Sequence, residues 1–359
     1  MPNYNGVWSL STHLQYVSGN IISATKVEPS GPFQDSAASG VWNLQDQYDY
    51  VRGGNWPTAG NAAPIAIIAG GVDSGGRSNV IDYVTISSAG NATDFGDLTI
   101  IRDGASSMSS STRGVIAGGY NGSASDNVIQ FVTFATTGNA QDFGDLSDTF
   151  SQGAAASNST RGVYGGGYKG GWTTSNVMEY ITIASEGNSQ DFGDLTQART
   201  RAGDGSNTTR IVYAGGNSGS TRYNIIDYIT IASTGNASDF GDLVTVSSYS
   251  TGCSSSTITL IGIGYTSSNV IVNIVEDFVT ASTGNATDFG DLSVAKAQVA
   301  MVSGGNTALA SGGSDASNNK LNVIESTTIA SSGSFSDFGD LTVARIWPTS
   351  CSGDHGGLA

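Results

Sequence analysis

A β-propeller built from four-stranded blades is the fold class that this sequence predicts, and two observations support the prediction. The pentapeptide DFGDL occurs six times, and successive copies are 48 or 49 residues apart. Between the copies, short apolar segments alternate with loops rich in Gly, Asn and Ser, and no segment of the repeats keeps a helical periodicity. Four short antiparallel strands in about 40 to 50 residues is the period of a propeller blade.

Each repeat contains the same parts in the same order. An apolar segment that ends in Gly-Gly comes first, as in RIVYAGG (210–216). A polar loop follows, then an alternating strand such as NIIDYITI (224–231), then a turn such as STGNAS and the next DFGDL. Both faces of the alternating strand are largely apolar or β-branched, which is typical of a sheet packed between two neighbouring sheets.

This order resembles the kelch repeat. In the first unit the matching positions are Gly70 and Gly71, Tyr83, and the basic residue Arg102. A basic residue recurs at the last position in four units, while Phe150 and Ser247 replace it in the other two; the four are Arg102, Arg199, Lys296 and Arg345. The usual kelch tryptophan is absent, and the Phe of DFGDL takes its place. The resemblance implies a divergent kelch-like propeller over about residues 50–359.

The number of blades depends on the two ends of the chain. After the sixth DFGDL, the segment TVARIWPTSCSGDHGGLA begins another unit and stops before its Gly-Gly is complete. Near the N-terminus, NIISATKV (20–27) resembles the alternating strand NVIDYVTI (79–86). Residues 20–359 correspond to about seven units. We therefore expect seven blades, with N- and C-terminal strands sharing one blade, because such a closure removes the open edges of the sheets.

Six blades with a separate N-terminal adaptor is the alternative. GVWSLSTHLQYVSGN (6–20) and GVWNLQDQYDYVRGG (40–54) match each other, and the spacing of their apolar residues predicts a short amphipathic helix after each GVW. We therefore divide the chain at residue 50. Residues 1–50 hold the GVWxL segments, which act as an adaptor or complete the last blade, and residues 51–359 hold the propeller.

The charge of the chain excludes several classes of partner. Asp and Glu outnumber Lys and Arg by 30 to 14, which gives a formal net charge of −16. Such a chain is repelled by nucleic acid and by anionic membranes. No apolar run is long enough to span a bilayer, and the N-terminus lacks the basic and apolar regions of a secretion signal. We expect no nucleic-acid binding, no membrane insertion and no signal peptide.

The DFGDL motif contains the Asp-Phe-Gly tripeptide of protein kinases, but the other kinase motifs are missing and six copies do not fit one active site. Its two aspartates suggest repeated weak calcium sites as an alternative, although no EF-hand ligand string is present. We favour a structural role, in which Asp accepts backbone N–H groups in a turn, Phe packs between blades, Gly relieves a backbone restriction and Leu anchors the strand. We expect no metal and no cofactor.

Catalytic constellations have little support in the sequence. The two histidines, His13 and His355, lie one at each end, which does not fit a copper site or a catalytic triad. No cluster of basic residues or paired carboxylates is evident, so we expect no catalytic residues. Cys253 and Cys351 occupy equivalent positions in different repeats. They are therefore too far apart for a disulfide, and we expect both to be reduced and buried in the innermost strands.

The loops that follow Gly-Gly differ most between the repeats, as in YKGGWTTS (168–175) and NSGSTRY (217–223). In a four-stranded meander these loops emerge on one face, where they form a variable surface on a rigid scaffold. We predict that their aromatic side chains bind a sugar or a protein; they are Tyr120, Tyr168, Trp172, Tyr223 and Tyr265. The alternative is that each ring simply covers a blade edge.

The repeat units and the GVWxL segments together resemble proteins of tailed bacteriophages, in which kelch-like arrays occur in tail or fibre components. The resemblance implies a non-enzymatic virion protein, a tail, fibre or decoration component that presents the propeller loops to a host-surface glycan or protein. It also implies assembly in the host cytoplasm, contacts with other virion proteins through the N-terminal segment, and a homo-oligomer in the particle. A carbohydrate-active kelch-propeller enzyme and a soluble protein-binding scaffold remain open as alternatives.

Overall fold

Six blades of antiparallel strands follow one another along residues 64–358, the part of the chain that the computed structural model describes. The predicted fold class, an all-β propeller, is confirmed. The helical structure in these residues is one short 3-10 helix, Gly356–Leu358. None of the helical structure between residues 64 and 358 has the length and apolar character needed to cross a bilayer.

The strands of the described chain include short pairs in the loops as well as the long blade strands. In chain order they are β1 (Ile65–Ala69), β2 (Val72–Asp73), β3 (Gly76–Arg77), β4 (Val80–Thr85), β5 (Thr93–Asp97), β6 (Ser106–Ser109), β7 (Arg113–Ala117), β8 (Asp126–Thr133), β9 (Gln141–Ser151), β10 (Ala154–Ser157), β11 (Arg161–Gly165), β12 (Tyr168–Lys169), β13 (Thr173–Thr174), β14 (Val177–Thr182), β15 (Gln190–Asp194), β16 (Gly203–Ser206), β17 (Arg210–Ala214), β18 (Asn217–Ser218), β19 (Thr221–Thr230), β20 (Ser238–Ser248), β21 (Thr251–Ser254), β22 (Ile258–Gly262), β23 (Tyr265–Thr266), β24 (Ile274–Val279), β25 (Thr287–Asp291), β26 (Lys296–Ala297), β27 (Ala300–Gly304), β28 (Thr307–Ser311), β29 (Ser314–Asp315), β30 (Val323–Thr328), β31 (Ser336–Asp340) and β32 (Thr349–Ser352).

We number the blades 1 to 6 and give their strands from the central channel outwards. The orders are β32-β1-β4-β5, β6-β7-β8-β9, β10-β11-β14-β15, β16-β17-β19-β20, β21-β22-β24-β25 and β27-β28-β30-β31. The remaining short strands belong to loops at one end of the ring. The third and fourth strands of every blade share a register shift at the same place, for example between Ile81 and Asp82 in blade 1.

The ring closes in blade 1. The C-terminal strand β32 pairs antiparallel with β1, the first described strand, with Cys351 opposite Ile67. The N-terminal strand expected in the closing blade, residues 20–27, lies outside the described residues. The expectation of seven blades is wrong, because the residues after the sixth DFGDL supply one blade strand, which completes blade 1. The six-blade alternative is therefore correct for the described chain. The proposed adaptor in residues 1–50, with its GVWxL helices, lies outside the described residues.

The hydrophobic core consists of six clusters, one between each pair of neighbouring blades. Between blades 1 and 2, for example, Phe95 and Leu98 pack with Ile116 and Val132. The Phe of every DFGDL is buried in this way; the six are Phe95, Phe143, Phe192, Phe240, Phe289 and Phe338. Each fully buried Phe contributes about 1.5–3 kcal/mol, so the motif stabilises the ring at every interface.

DFGDL also forms a backbone clasp with the turn of the next blade. At the first interface Gly138 N donates to Phe95 O at 2.8 Å, and Asp97 N donates to Asn139 Oδ1 at 3.0 Å. The bond between glycine and phenylalanine recurs at all six interfaces. At five of the six interfaces the side-chain acceptor in the clasp is thus an asparagine of the next blade rather than an aspartate. Gly96 has φ +146°, and a Cβ there would lie 2.5 Å from Gly138 O, so only glycine fits.

A buried polar residue in the third strand of each blade binds the chain that arrives from the preceding blade. In blade 1, Asp82 accepts from Thr342 Oγ1 at 2.7 Å and pairs with Arg345 Nη2 at 2.8 Å. Arg345 also donates to the carbonyl oxygens of Ile68 and Val80. Two further blades repeat the buried ion pair, as Arg199–Asp227 and Lys296–Glu325. The basic position of the repeat is therefore structural in these three blades.

Candidate functional site

Two sets of connections lie at the same end of the ring, which we call the loop face. One set follows Gly-Gly and joins the second strand of a blade to the third, and the other joins the fourth strand to the next blade. Backbone bridges hold the two sets together, as between Asp103 and Tyr120 and between Thr200 and Asn217. The sequence-based prediction places the binding residues in the first set.

The second set forms a ring of six equivalent residues around the mouth of the central channel. All six have φ between 56° and 62°, and each follows the Leu of DFGDL by six residues; they are Gly104, Gln152, Arg201, Tyr249, Gln298 and Trp347. Main-chain bonds join several neighbours, such as Gln152 N to Gly104 O at 2.7 Å and Arg201 N to Gln152 O at 2.8 Å. Five of these residues are not glycine, and such left-handed backbone costs about 1–3 kcal/mol each and is concentrated at functional sites.

Aromatic rings gather on one side of this mouth. Trp172 lies 5.2 Å from the ring of Tyr120 and 5.1 Å from the ring of Tyr168, measured between ring centroids. Trp172 is 53% exposed, so its ring presents an accessible apolar surface. The guanidinium of Arg77 lies 4.5 Å from the centre of the Tyr120 ring and extends this group of rings.

A second group of rings lies at the mouth itself. The Tyr249 ring is 4.9 Å from both the Tyr265 ring and the Trp347 ring. The guanidinium carbon of Arg201 lies 4.3 Å from the centre of the Tyr249 ring, 5.6 Å from that of Trp347 and 5.4 Å from that of Tyr168. Arg201 thus connects the two groups. We call the six rings the aromatic cluster; they are Tyr120, Tyr168, Trp172, Tyr249, Tyr265 and Trp347.

The structure brings four of the five predicted binding residues into this cluster: Tyr120, Tyr168, Trp172 and Tyr265. Tyr223 lies apart from these ring contacts, in β19 opposite Ser247. Sequence reasoning missed Arg201, Tyr249 and Trp347, which lie in the connections between blades. Their signal is a position six residues after each DFGDL leucine at which the repeats disagree.

Below the mouth, the six innermost strands enclose a cavity of about 110 Å³. Its lining includes the mouth residues Gln152, Tyr249 and Trp347 and, deeper in the channel, the carboxyl group of Asp204. The rest of the lining consists mainly of small residues of the innermost strands, so a narrow polar channel continues below the loop face.

A closed ring of serine hydroxyls surrounds the far end of the channel. Each hydroxyl donates to the carbonyl oxygen of the equivalent serine in the preceding blade, at distances of 2.5–2.8 Å. The six serines are Ser109, Ser157, Ser206, Ser254, Ser303 and Ser352, and all are buried. Every unit has serine at this position, eleven residues after the DFGDL leucine. The ring satisfies these buried groups and joins all six blades.

The C-terminal segment lies against the serine ring. His355 Nε2 is 3.1 Å from Ser109 O and donates to it, while Nδ1 accepts from Gly357 N at 3.1 Å. Burial lowers the pKa of His355 to about 4, so the imidazole is neutral at physiological pH and fits this donor–acceptor arrangement. Gly356 and Gly357 are buried beside the innermost strands, where a Cβ on either would clash with serine carbonyl groups.

The carboxyl group of Asp204 lies in the channel lining, and burial there changes its pKa. Its Oδ2 accepts one hydrogen bond, from Ala155 N at 3.2 Å. Burial raises the pKa of Asp204 from 3.8 to about 8, and the bond from Ala155 acts in the opposite direction. The carboxyl group is therefore mainly protonated at neutral pH.

Asp204→Asn is expected to remove a pH dependence of stability. Because the pKa of Asp204 is about 8 in the folded state and lower in the unfolded state, its contribution is complete below about pH 4 and is lost as the pH rises to about 8. Each pKa unit corresponds to about 1.4 kcal/mol. Urea unfolding at pH 6 and pH 9 should show the variant gaining stability relative to the original protein at pH 9. Parallel stability curves for the two proteins would contradict this expectation.

The structure also shows where the DFGDL aspartates and the two cysteines lie. The first aspartate of DFGDL is exposed in each unit, and within residues 64–358 no group of three or more His, Cys, Asp or Glu side chains is arranged to hold a metal ion. Cys253 and Cys351 are free and buried in the innermost strands β21 and β32, as predicted. Burial raises the pKa of both thiols, which keeps them protonated and unreactive.

The chain was compared with protein-family models and with curated proteins. No protein-family model matches the chain, and no curated protein matches it significantly in sequence.

Proposed function

We propose that the protein is a non-enzymatic recognition protein that binds a glycan through the aromatic cluster of the loop face. The observation that supports this most is the gathering of six aromatic rings from three loops and two blade connections beside the channel mouth. Sugar rings have apolar faces and polar edges, so they bind where an accessible aromatic face lies beside hydrogen-bonding groups. Trp172 supplies the accessible face, and Gln152 and Arg201 supply polar groups nearby.

The rigidity of the cluster favours binding. Each ring touches another ring or a guanidinium, and the residues at the mouth are fixed by main-chain bonds between blades. A ligand therefore meets side chains that lose little conformational freedom on binding, which reduces the entropic cost of association.

The number of carboxyl groups that line the described channel favours binding without hydrolysis. Glycoside hydrolysis ordinarily uses two carboxyl groups about 5 to 10 Å apart. The cavity below the mouth is lined by one, Asp204. We therefore keep the carbohydrate-active enzyme as the second candidate and make sugar release an outcome of the test.

We further propose that the protein is a tail, fibre or decoration component of a tailed bacteriophage. The kelch-like repeat and the likeness of the repeat units to phage tail proteins support this assignment. In the virion the propeller would carry the loop face towards the host, and residues 1–50 would bind other virion proteins in a homo-oligomeric assembly. Mass spectrometry of purified phage particles tests the location, because the chain must be present in them.

A glycan array combined with an assay for released reducing sugar tests the binding function. The labelled protein should bind a defined set of bacterial surface oligosaccharides and release no sugar from them. Catalytic release of sugar from a bound oligosaccharide would favour the enzyme. If no glycan binds and the protein instead captures a host surface protein, the glycan assignment fails and the scaffold alternative gains support.

A further inference from the structure

The guanidinium of Arg201 is incompletely paired. Its Nε donates to Gln152 Oε1 at 2.8 Å, and its flat face lies against the Tyr249 ring. Within residues 64–358, its two terminal nitrogens have no hydrogen-bond acceptor and no ion-pair partner, and they remain accessible to solvent. Two N–H-bearing nitrogens therefore point away from the protein contacts at the centre of the loop face.

The other arginines of the loop face are paired. Arg77 Nε lies 2.6 Å from Asp103 Oδ2, which neutralises its charge. Arg222 donates to Ser248 Oγ at 2.7 Å, to Asn269 Oδ1 at 2.5 Å and to Ser267 O at 3.5 Å, so all three of its nitrogens have partners. Arg201 thus differs from Arg77 and Arg222 because, within the described residues, both of its terminal nitrogens lack a hydrogen-bond acceptor.

Two arginines act on the ring that packs against the Arg201 guanidinium. Burial raises the pKa of Tyr249 most; Arg201 and Arg222 lower it, and Tyr265 and Tyr168 raise it. The carboxyl group in the cavity below belongs to Asp204, whose raised pKa leaves it mainly uncharged at neutral pH. The net charge of −16 opposes an anion at long range, but at physiological ionic strength screening limits such effects to about 8 Å.

We propose that Arg201 binds a carboxylate of the ligand, so that the glycan recognised by the loop face is an acidic one that contains a uronic acid. This inference rests on the proposed glycan-binding function and specifies its ligand. A planar guanidinium with two free nitrogens matches a carboxylate by two parallel hydrogen bonds. The sugar ring that carries the carboxylate then lies beside Tyr168, Tyr249 and Trp347, the three rings that surround the guanidinium.

Matched pairs of oligosaccharides test this inference. The probes are oligogalacturonates and oligomannuronates, each compared with its carboxyl-reduced, neutral counterpart by titration calorimetry. The acidic member should bind at least about tenfold more tightly, as expected for a charge-assisted hydrogen-bond pair. Arg201→Gln should bring the ratio of acidic to neutral affinity close to one, whereas Arg201→Lys should retain part of the preference.

Arg222→Gln is the matched control, because it removes one positive charge from the same face at a residue whose donors are already occupied. It should keep the preference for the acidic member. Equal affinities for acidic and neutral members would overturn the carboxylate inference while leaving the glycan function intact. An equal loss of preference in both arginine variants would also overturn it, since general charge would then be responsible. If neither member of any pair binds, the uronic-acid inference is overturned, and the glycan array decides separately whether the glycan function stands.

Discussion

Gly96→Ala should lower the free energy of unfolding of the propeller by about 3 kcal/mol or more. The new Cβ would lie 2.5 Å from Gly138 O across the interface between blades 1 and 2, and φ of +146° disfavours any side chain. The clasp would have to open, which removes the bond from Gly138 N to Phe95 O and loosens the packing of Phe95. Urea denaturation followed by tryptophan fluorescence measures the loss.

The opposite side of the same clasp provides the control. A Cβ on Gly138 meets no atom within 4 Å, so Gly138→Ala should change the stability by less than about 1 kcal/mol. The two variants make the same chemical change on two residues that face each other across one clasp. Similar midpoints for the two variants would show that the clasp does not hold the blades together.

Arg345→Ala should cost about 3–5 kcal/mol, because it leaves the Asp82 carboxylate buried without its cation. Both side chains are almost fully buried, and Arg345 also donates to Ile68 O and Val80 O in the blade that closes the ring. The loss should be accompanied by faster amide exchange in β32, the C-terminal strand of that blade. Denaturant unfolding and hydrogen exchange measure the two effects.

An exposed ion pair and a double variant complete this experiment. Lys169 and Asp148 form a pair at 3.5 Å with both side chains more than 40% exposed, so Lys169→Ala should cost less than about 1 kcal/mol. Replacing both buried partners, as Asp82→Leu with Arg345→Met, should recover much of the stability lost by Arg345→Ala. Equal losses for Arg345→Ala and Lys169→Ala would contradict the role assigned to the buried pair.

The blade architecture could be predicted from the sequence because the repeat is regular. A constant step of 48 or 49 residues, a Phe at each interface and a glycine at each clasp follow from the need to bury the same faces in every blade. The number of blades could not be read in the same way. A partial unit at the C-terminus looks the same whether it starts a new blade or completes the first, and the pairing of β32 with β1 decides between them.

The site was only partly predictable, for a related reason. Variable loops after Gly-Gly pointed to Tyr120, Tyr168, Trp172 and Tyr265, which do meet on the loop face. Arg201, on the other hand, lies in a connection between blades, and its contact with Tyr168, Tyr249 and Trp347 depends on how blades from distant parts of the sequence meet at the mouth. The hydrogen-bonded serine ring could not be predicted from the sequence either, because its bonds form only when the six blades close into a ring.

Trp172→Ala tests the central claim, that the aromatic cluster of the loop face is where the protein binds its glycan. The measurement is the dissociation constant for the oligosaccharide that the array selects, compared with that of Val279→Ala. Val279 has a similar exposure, 51% against 53%, but ends β24 at the opposite end of the ring. Trp172→Ala should weaken binding by at least about tenfold, the effect of losing one aromatic contact of about 1.5 kcal/mol, and Val279→Ala should leave it unchanged. Unchanged binding in Trp172→Ala, or an equal loss in both variants, would contradict the claim.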